Sequence, residues 1–275
     1  MMRKSPSLII GMHRSGTTLL SECLEDLGWY GGWLKNSSNE STFYTRINNW
    51  IMQNCGVDWE TVNNIEHLID ANYDLLKVAV QRAEKYIGWL EYNQRIAFRQ
   101  KTEWGFKDPR NCFTLPFWNK YYQDIKIVHI KRHGLDVARS LLNRKKDHCL
   151  KRQQATVLSD VWDIYKGEKL YTTTVTSSTN DALALWYKYE QRCQSQLQKQ
   201  NAISVSFEDL LDKPFDTLRS IAGFLELKVT DSDCAKAALR IDKTRSLAYK
   251  QDLESNVGNI DDISKARLYE MGYRL

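Results

Sequence analysis

The sequence predicts an α/β protein, a central parallel sheet flanked by helices in three layers. Three observations point there. Short apolar runs at Leu8–Gly11, Trp104–Lys107, Ile125–Lys131 and Ala202–Phe207 read as strands, most of them bounded by glycine, proline or basic turns. Segments of helical spacing alternate with them, and alternating strands and helices imply parallel pairing with right-handed crossovers. The chemistry-bearing residues cluster just after the runs, at Gly11–Thr18, Asp108–Arg110 and Arg132–Ser140, the edge where such sheets collect ligands.

The elements follow in chain order. Leu8–Gly11 is a buried strand, and Thr17–Leu27 a helix with Leu20, Leu24 and Leu27 on one face and Gly28 at its end. Gly31-Gly32 breaks the chain and Asn36–Ser41 is a polar loop. Phe43, Ile47, Trp50 and Ile51 recur at helical spacing, as do Leu76, Val80, Ala83, Ile87 and Leu90 within Tyr73–Leu90. The Trp104–Lys107 strand stops at Asp108-Pro109-Arg110, because proline cannot continue a ladder. Arg132-His133-Gly134 turns the chain after the Ile125–Lys131 strand, and a helix starts over Asp136–Leu142. Asp181–Gln200 and Phe215–Leu225 are the last helices read. Asn143–Asn180 opens with Arg144, Lys145, Lys146 and His148 and closes in a Thr/Ser run, so it reads as an insertion or lid. With no repeat and no linker in the sequence, one domain is expected over 1–275, with the lid at 143–180.

Composition limits the function classes. The chain has 275 residues, 42% hydrophobic and 27% charged, enough apolar content for a large core and too balanced for wholesale disorder. A net charge of +5 and a pI near 8.7 suit an anionic ligand but do not by themselves imply nucleic acid. The six cysteines, Cys23, Cys55, Cys112, Cys149, Cys193 and Cys234, form no C-x-x-C pair, so neither a zinc site nor a redox motif is indicated and buried thiols are expected. No stretch has the length and apolarity of a signal peptide or membrane span, which predicts a cytoplasmic protein. Oligomeric state is not readable.

The loop Gly11-Met12-His13-Arg14-Ser15-Gly16-Thr17-Thr18 is the strongest local signal. Strand, glycine loop and helix start form a phosphate site, with amides of Ser15–Thr18 at the positive end of the helix dipole. The loop is P-loop-like but incomplete: Gly11 and Gly16 keep the G-x4-G spacing, Thr17 stands where the lysine of a nucleotide triphosphatase belongs, and the cation is Arg14. Arg132, leaving a strand, and Ser140, two turns into the next helix, could clasp a second phosphate. The alternatives are a capped turn for the loop, and a surface arginine and buried serine for the pair.

G-M-H-R-S-G-T-T-L-L followed by K-R-H-G-L-D-V-A-R-S-L resembles the sulfotransferases that use 3′-phosphoadenosine-5′-phosphosulfate (PAPS). Bacterial members and the Golgi carbohydrate and tyrosylprotein branches are the most similar. W-G-F-K-D-P-R-N and V-S-F-E-D-L-L add to the likeness, which runs from Leu8 to about Leu225 and is poor across 143–180. The resemblance implies that Arg14, Ser15, Gly16, Thr17 and Thr18 hold the 5′-phosphosulfate, that Arg132 and Ser140 hold the 3′-phosphate, and that the Val205–Leu210 stretch, with Phe207, ends near the adenosine. Many cytosolic members carry tyrosine at the Phe207 position. Relatives often add a basic residue near the C-terminus, for which Lys243, Arg245 and Lys250 are candidates.

The reaction so implied is in-line transfer of a sulfuryl group to an acceptor hydroxyl or amine, with no metal, and with Arg14 and the loop amides stabilising charge on the leaving oxygen. The lysine–threonine–histidine base motif of cytosolic relatives is missing, since Asp108-Pro109 follows Lys107. Glu40, downstream of the loop as in Golgi-type relatives, is the leading base; its other reading is a helix-start carboxylate. Asp108 is the runner-up and could instead orient Arg110 or Lys107. His13 and His133 sit near the loops, where imidazolium could bind an anion. The expected acceptor is a carbohydrate or glycolipid, with Trp29, Tyr30, Trp33, Phe43 and Tyr44 as an acceptor wall. The rivals are a P-loop kinase or NTPase, which would respond to Mg-ATP, and a non-catalytic nucleotide-binding module, which would bind without transferring.

Overall fold

A computed structural model of the chain describes residues 5–32, 34–63, 65–90, 103–166, 176–198, 201–242 and 260–274. Four strands, β1 (Ser7–Ile10), β2 (Gly105–Lys107), β3 (Lys126–Lys131) and β4 (Asn201–Ser206), form one sheet in the order β2-β1-β3-β4. Every pairing is parallel, with Ile9 opposite Lys107 on one side and Val128 on the other. The helices are α1 (Thr17–Asp26), α2 (Thr42–Asn54), α3 (Glu66–Ala71), α4 (Tyr73–Leu90), α5 (Asn111–Tyr121), α6 (Gly134–Gln153), α7 (Val157–Lys166), α8 (Thr179–Leu197), α9 (Phe207–Asp212), α10 (Pro214–Phe224), α11 (Asp231–Ala238) and α12 (Asp262–Glu270). The central parallel sheet flanked by helices, expected from sequence, is what the chain forms.

The order of the strands positions the site. After β1 the chain leaves toward β2, and after β3 it leaves toward β4, so the connections diverge between the adjacent strands β1 and β3. That divergence opens the crevice in which open α/β sheets bind ligands. The loops that flank it are the glycine loop after β1 and the turn at Arg132.

The chain divides into two compact units, residues 1–132 with 189–246, and residues 133–188 with 247–275. The first unit holds the whole sheet. On one sheet face Leu20 and Leu24 of α1 and Leu27 just after it join Leu218 and Ile221 of α10 over Ile9 and Val128, the stripe read from spacing. An aromatic cluster also belongs to this unit: Tyr44 stacks on Phe106 at 4.1 Å between ring centroids, with Trp118 edge-on to both. In the second unit, an added Cβ on Gly134 would lie within 2.9 Å of Trp186 and Leu268, so α6 packs there at van der Waals limits.

Two readings shift in detail. The strand expected to run to Phe207 ends at Ser206, whose side chain accepts a hydrogen bond from the Asp209 amide and caps α9; Phe207 is therefore a helix residue. The segment 143–180 contains the C-terminal half of α6 and all of α7, while residues 167–175 lie outside the described residues. Cys23, Cys55, Cys112, Cys193 and Cys234 are buried free thiols and Cys149 is half-buried. Among the described residues no helix is long and apolar enough to cross a membrane.

Candidate active site

The glycine loop is shaped by close approach. Gly11 has φ +148°, and a Cβ there would meet the Ile130 carbonyl oxygen at 2.3 Å. Gly16, the residue before α1, is left-handed at φ +97°, and its Cβ would lie 2.2 Å from the Phe207 ring. Only glycine fits both demands. No side chain caps the N-terminus of α1, so its first amides are directed at whatever anion occupies the loop. Arg14 has φ 72°, a conformation non-glycine residues seldom adopt, and it is exposed. Ser15 is fully buried and its hydroxyl donates to the Met12 carbonyl at 2.7 Å; it closes the loop. Thr17, in the lysine position of a triphosphatase loop, is buried at the start of α1.

Arg132 is brought to the same loop. Its Nη1 donates to the Arg14 carbonyl at 3.3 Å, and its guanidinium lies 4.5 Å from the centroid of the Phe207 ring, a cation–π contact. Phe207 is 4% exposed, so it supports Gly16 and Arg132 from beneath. Ser140 is half-buried in the second turn of α6, in the second unit. Lys243, Arg245 and Lys250 lie outside the described residues.

A buried charge cluster adjoins the loop. Asn36 folds the Leu34–Thr42 loop on itself: its Nδ2 donates to Glu40 Oε2 at 2.8 Å and its Oδ1 accepts from the Ser38 and Glu40 amides. This aims Glu40 inward, to 6% exposure. Lys107, at the end of β2, places its Nζ 3.3 Å from Glu40 Oε1 and 3.4 Å from Thr18 Oγ1, and also donates to the Ser38 carbonyl. Thr18 Oγ1 donates to that same carbonyl at 3.0 Å. Lys107 is 1% exposed. Burial pushes its ammonium pKa below the ordinary 10.5, against the pull of Glu40 and then Asp108.

Asp108 is fully buried and fully occupied. Its Oδ1 accepts from the Arg110 amide and guanidinium at 2.9 and 2.8 Å, and its Oδ2 from Asn48 Nδ2 at 2.9 Å. Asn48 in turn bonds Asn111, Thr114 and Trp118, so all its amide valences are used. Arg110 Nη1 also lies 3.8 Å from Glu40 Oε2. The structure thus brings Thr18, Glu40, Asp108 and Arg110 around Lys107. Lys107, Asn36 and Asn48 are members of the site that sequence reasoning did not select.

Two members of the aromatic wall expected near Glu40 are corrected, while Tyr30 and Phe43 are half-buried. Trp29 is 2% exposed, with Nε1 donating to Ser7 Oγ at 2.7 Å, and Tyr44 lies in the core stack, bonded to Glu84; large rings filled the interior instead. Trp33 lies outside the described residues. His13, by contrast, packs against Trp59 at 4.5 Å and edge-on to Tyr189 at 6.1 Å, and Trp59 is half-buried. His133 is held structurally: its Nδ1 accepts from the Leu135 amide and its Nε2 faces the Arg274 carbonyl at 3.1 Å. Among the described residues no His/Cys/Asp/Glu cluster could hold a metal.

Comparison with known proteins places the fold. The family described as "Sulfotransferase family" matches residues 6–231. No curated protein sequence matches the chain. A sulfotransferase domain from the curacin biosynthetic pathway superposes with a TM-score of 0.57 at 14% identity, over 100% of both chains. A sulfotransferase domain from the olefin synthase of Synechococcus PCC 7002 gives 0.53 at 14%, over 99% of this chain and 96% of the other. Mouse sulfotransferase SULT7A1, complexed with PAP, gives 0.50 at 15%, over 98% and 83%. At these identities the solved structures are similar in fold.

Proposed function

The chain belongs to the sulfotransferase family, and from that premise we propose that it transfers a sulfuryl group from PAPS to the hydroxyl of a carbohydrate or glycolipid. One observation carries the reading. The loop that would take the donor's charged end and the carboxylate that would take the acceptor's proton share one buried ammonium, Lys107, which reaches both Thr18 Oγ1 and Glu40 Oε1.

The residues fit such a donor. An uncapped helix N-terminus behind a left-handed glycine presents amides to an anion, and Arg14 and Arg132 add charge on either side of the crevice. PAPS supplies a sulfuryl group bonded to a phosphate that can leave. Arg14 and the amides of Gly16, Thr17 and Thr18 stabilise the negative charge that grows on the departing oxygen; preorganised donors of this kind are worth about 3–4 kcal/mol each. Arg132, oriented by Phe207, receives the 3′-phosphate, and Ser140 keeps the role the resemblance gives it. Glu40 takes the proton as the acceptor oxygen bonds to sulfur and the sulfur–phosphate oxygen bond breaks. Lys107 and Asn36 hold Glu40 in place, and Asp108 holds Arg110.

The test is label transfer from sulfur-labelled PAPS to glycan and glycolipid panels and to a lysate of the source organism. The expected result is label on an acceptor, lost in Glu40→Gln while binding of adenosine 3′,5′-bisphosphate (PAP) persists. Absence of PAP binding overturns the donor assignment, and label confined to molecules that carry no sugar overturns the acceptor class.

A further inference from the structure

Helix α7, in the second unit, turns large apolar side chains to solvent. Val157, Leu158, Val161, Trp162 and Tyr165 are 77, 82, 60, 56 and 83% exposed. At about 100° per residue they fall within one arc of roughly 140°. The other side carries Asp160, tied to Arg152 of α6 by a 2.7 Å ion pair. A surface helix normally buries its apolar stripe; α7 turns these five apolar side chains to solvent instead, and exposed apolar patches mark interaction sites.

The patch is set in positive charge. Residues 144–166 hold six Lys/Arg against three Asp, and Lys146 and Lys151 are exposed on α6 just before it. We propose that α7 and the cationic end of α6 dock on an anionic lipid bilayer. Val157, Leu158 and Val161 enter the acyl boundary. Trp162 and Tyr165, stacked at 6.1 Å, sit at headgroup level, where amphipathic rings are favoured, and the lysines meet the anionic headgroups. The charge argues against the other occupants. A second copy meeting this face across a two-fold axis would oppose like charges, and a nucleic acid would leave the aliphatic residues without partners. The proposal stands apart from the donor chemistry.

Co-sedimentation of the full chain with vesicles tests it, using phosphatidylcholine alone and with about one-third phosphatidylglycerol, at about 50 and 500 mM salt. The anionic vesicles should capture the protein at low salt, with at least about tenfold weaker capture by neutral vesicles or at high salt. Leu158→Asp/Trp162→Ser should lose about tenfold or more, and Lys146→Glu/Lys151→Glu should lose the preference for anionic lipid. A melting temperature unchanged from the parent protein shows that each variant is folded. No capture of the parent protein, or capture undiminished in the Leu158/Trp162 variant, overturns the proposal. So does a solution dimer of the parent protein that the same variant dissolves, which would make the occupant a second copy.

Discussion

Glu40 and Lys107 each keep the other buried, so neither can be removed alone without consequence. Breaking a buried ion pair from one side costs about 3–5 kcal/mol, because the survivor is stranded. Lys107→Met is therefore expected to lower the urea midpoint sharply, and Lys107→Met/Glu40→Gln to recover more than half of that loss. Activity separates the two residues from Asp108. Glu40→Gln should reduce turnover by about 10²–10⁴-fold, the usual range for a general base, with PAP affinity within about twofold. Asp108→Asn, which loosens Arg110 and the Asn48 network, should show its larger effect on stability. Glu40 entered as the base through the resemblance to Golgi-type relatives, which place a glutamate downstream of the glycine loop. Lys107 was visible only as a strand end and as a partner for Asp108. Its role comes from the register that sets Lys107 opposite Ile9, and a pairing register between distant segments is not written in either segment alone.

At the level of elements, the β1–loop–α1 unit works because α9 lies beneath it. Gly16→Ala puts a Cβ into the Phe207 ring at a left-handed position, which should cost about 1–3 kcal/mol and weaken PAP binding together, as read by denaturant melts and calorimetry. Phe207→Ala removes the support from the other side; about 3–5 kcal/mol of stability is expected to go with the buried ring. PAP affinity should fall further than in Phe207→Tyr, which keeps a ring under Arg132. The glycine loop was legible because strand, glycines and helix are contiguous in sequence. The support was not, although Ser206 and Asp209 have the S-x-x-D spacing of a helix start; the apolar run before them favoured continuing the strand. Trp29 and Tyr44 left the expected aromatic wall for a related reason. Ring size alone does not say whether a residue faces solvent or core, and Trp29 and Tyr44 satisfied their polar atoms internally.

Over the whole molecule two responses should be measurable. The first is alkaline weakening. Burial raises the Cys23 thiol from an ordinary 9.0 to about 12, and raises Cys55, Cys193, Cys234 and Tyr189 as well. Above pH 9 the unfolded chain ionises these groups while the folded chain keeps their protons, so the unfolded state binds fewer protons and stability falls as pH rises. Lys107, lowered below 10.5, works with the opposite sign, but it is one group against several. The denaturation midpoint should drop between about pH 8.5 and 10.5, and Cys23 should resist alkylation until it does. The second response is to ligand. Parallel pairing with ligand loops at one sheet edge was predictable in kind from alternating strands and helices, whereas the strand order, and with it which loops meet, depended on β3 pairing directly with β1. A ligand gripped by both loops binds the folded chain only, because Arg14 and Arg132 are far apart in sequence and meet only when β1 and β3 pair. At about a hundredfold over its dissociation constant, PAP should add about 2.7 kcal/mol, a rise of roughly 5–10 °C in melting temperature for a chain of this size. Arg132→Ala should remove much of that rise, and Mg-ATP should give little in either protein, since Thr17 stands in the lysine position. An equal rise with Mg-ATP would make the loop a triphosphate site, and a PAP response untouched by Arg132→Ala would leave the second anion contact somewhere other than the end of β3.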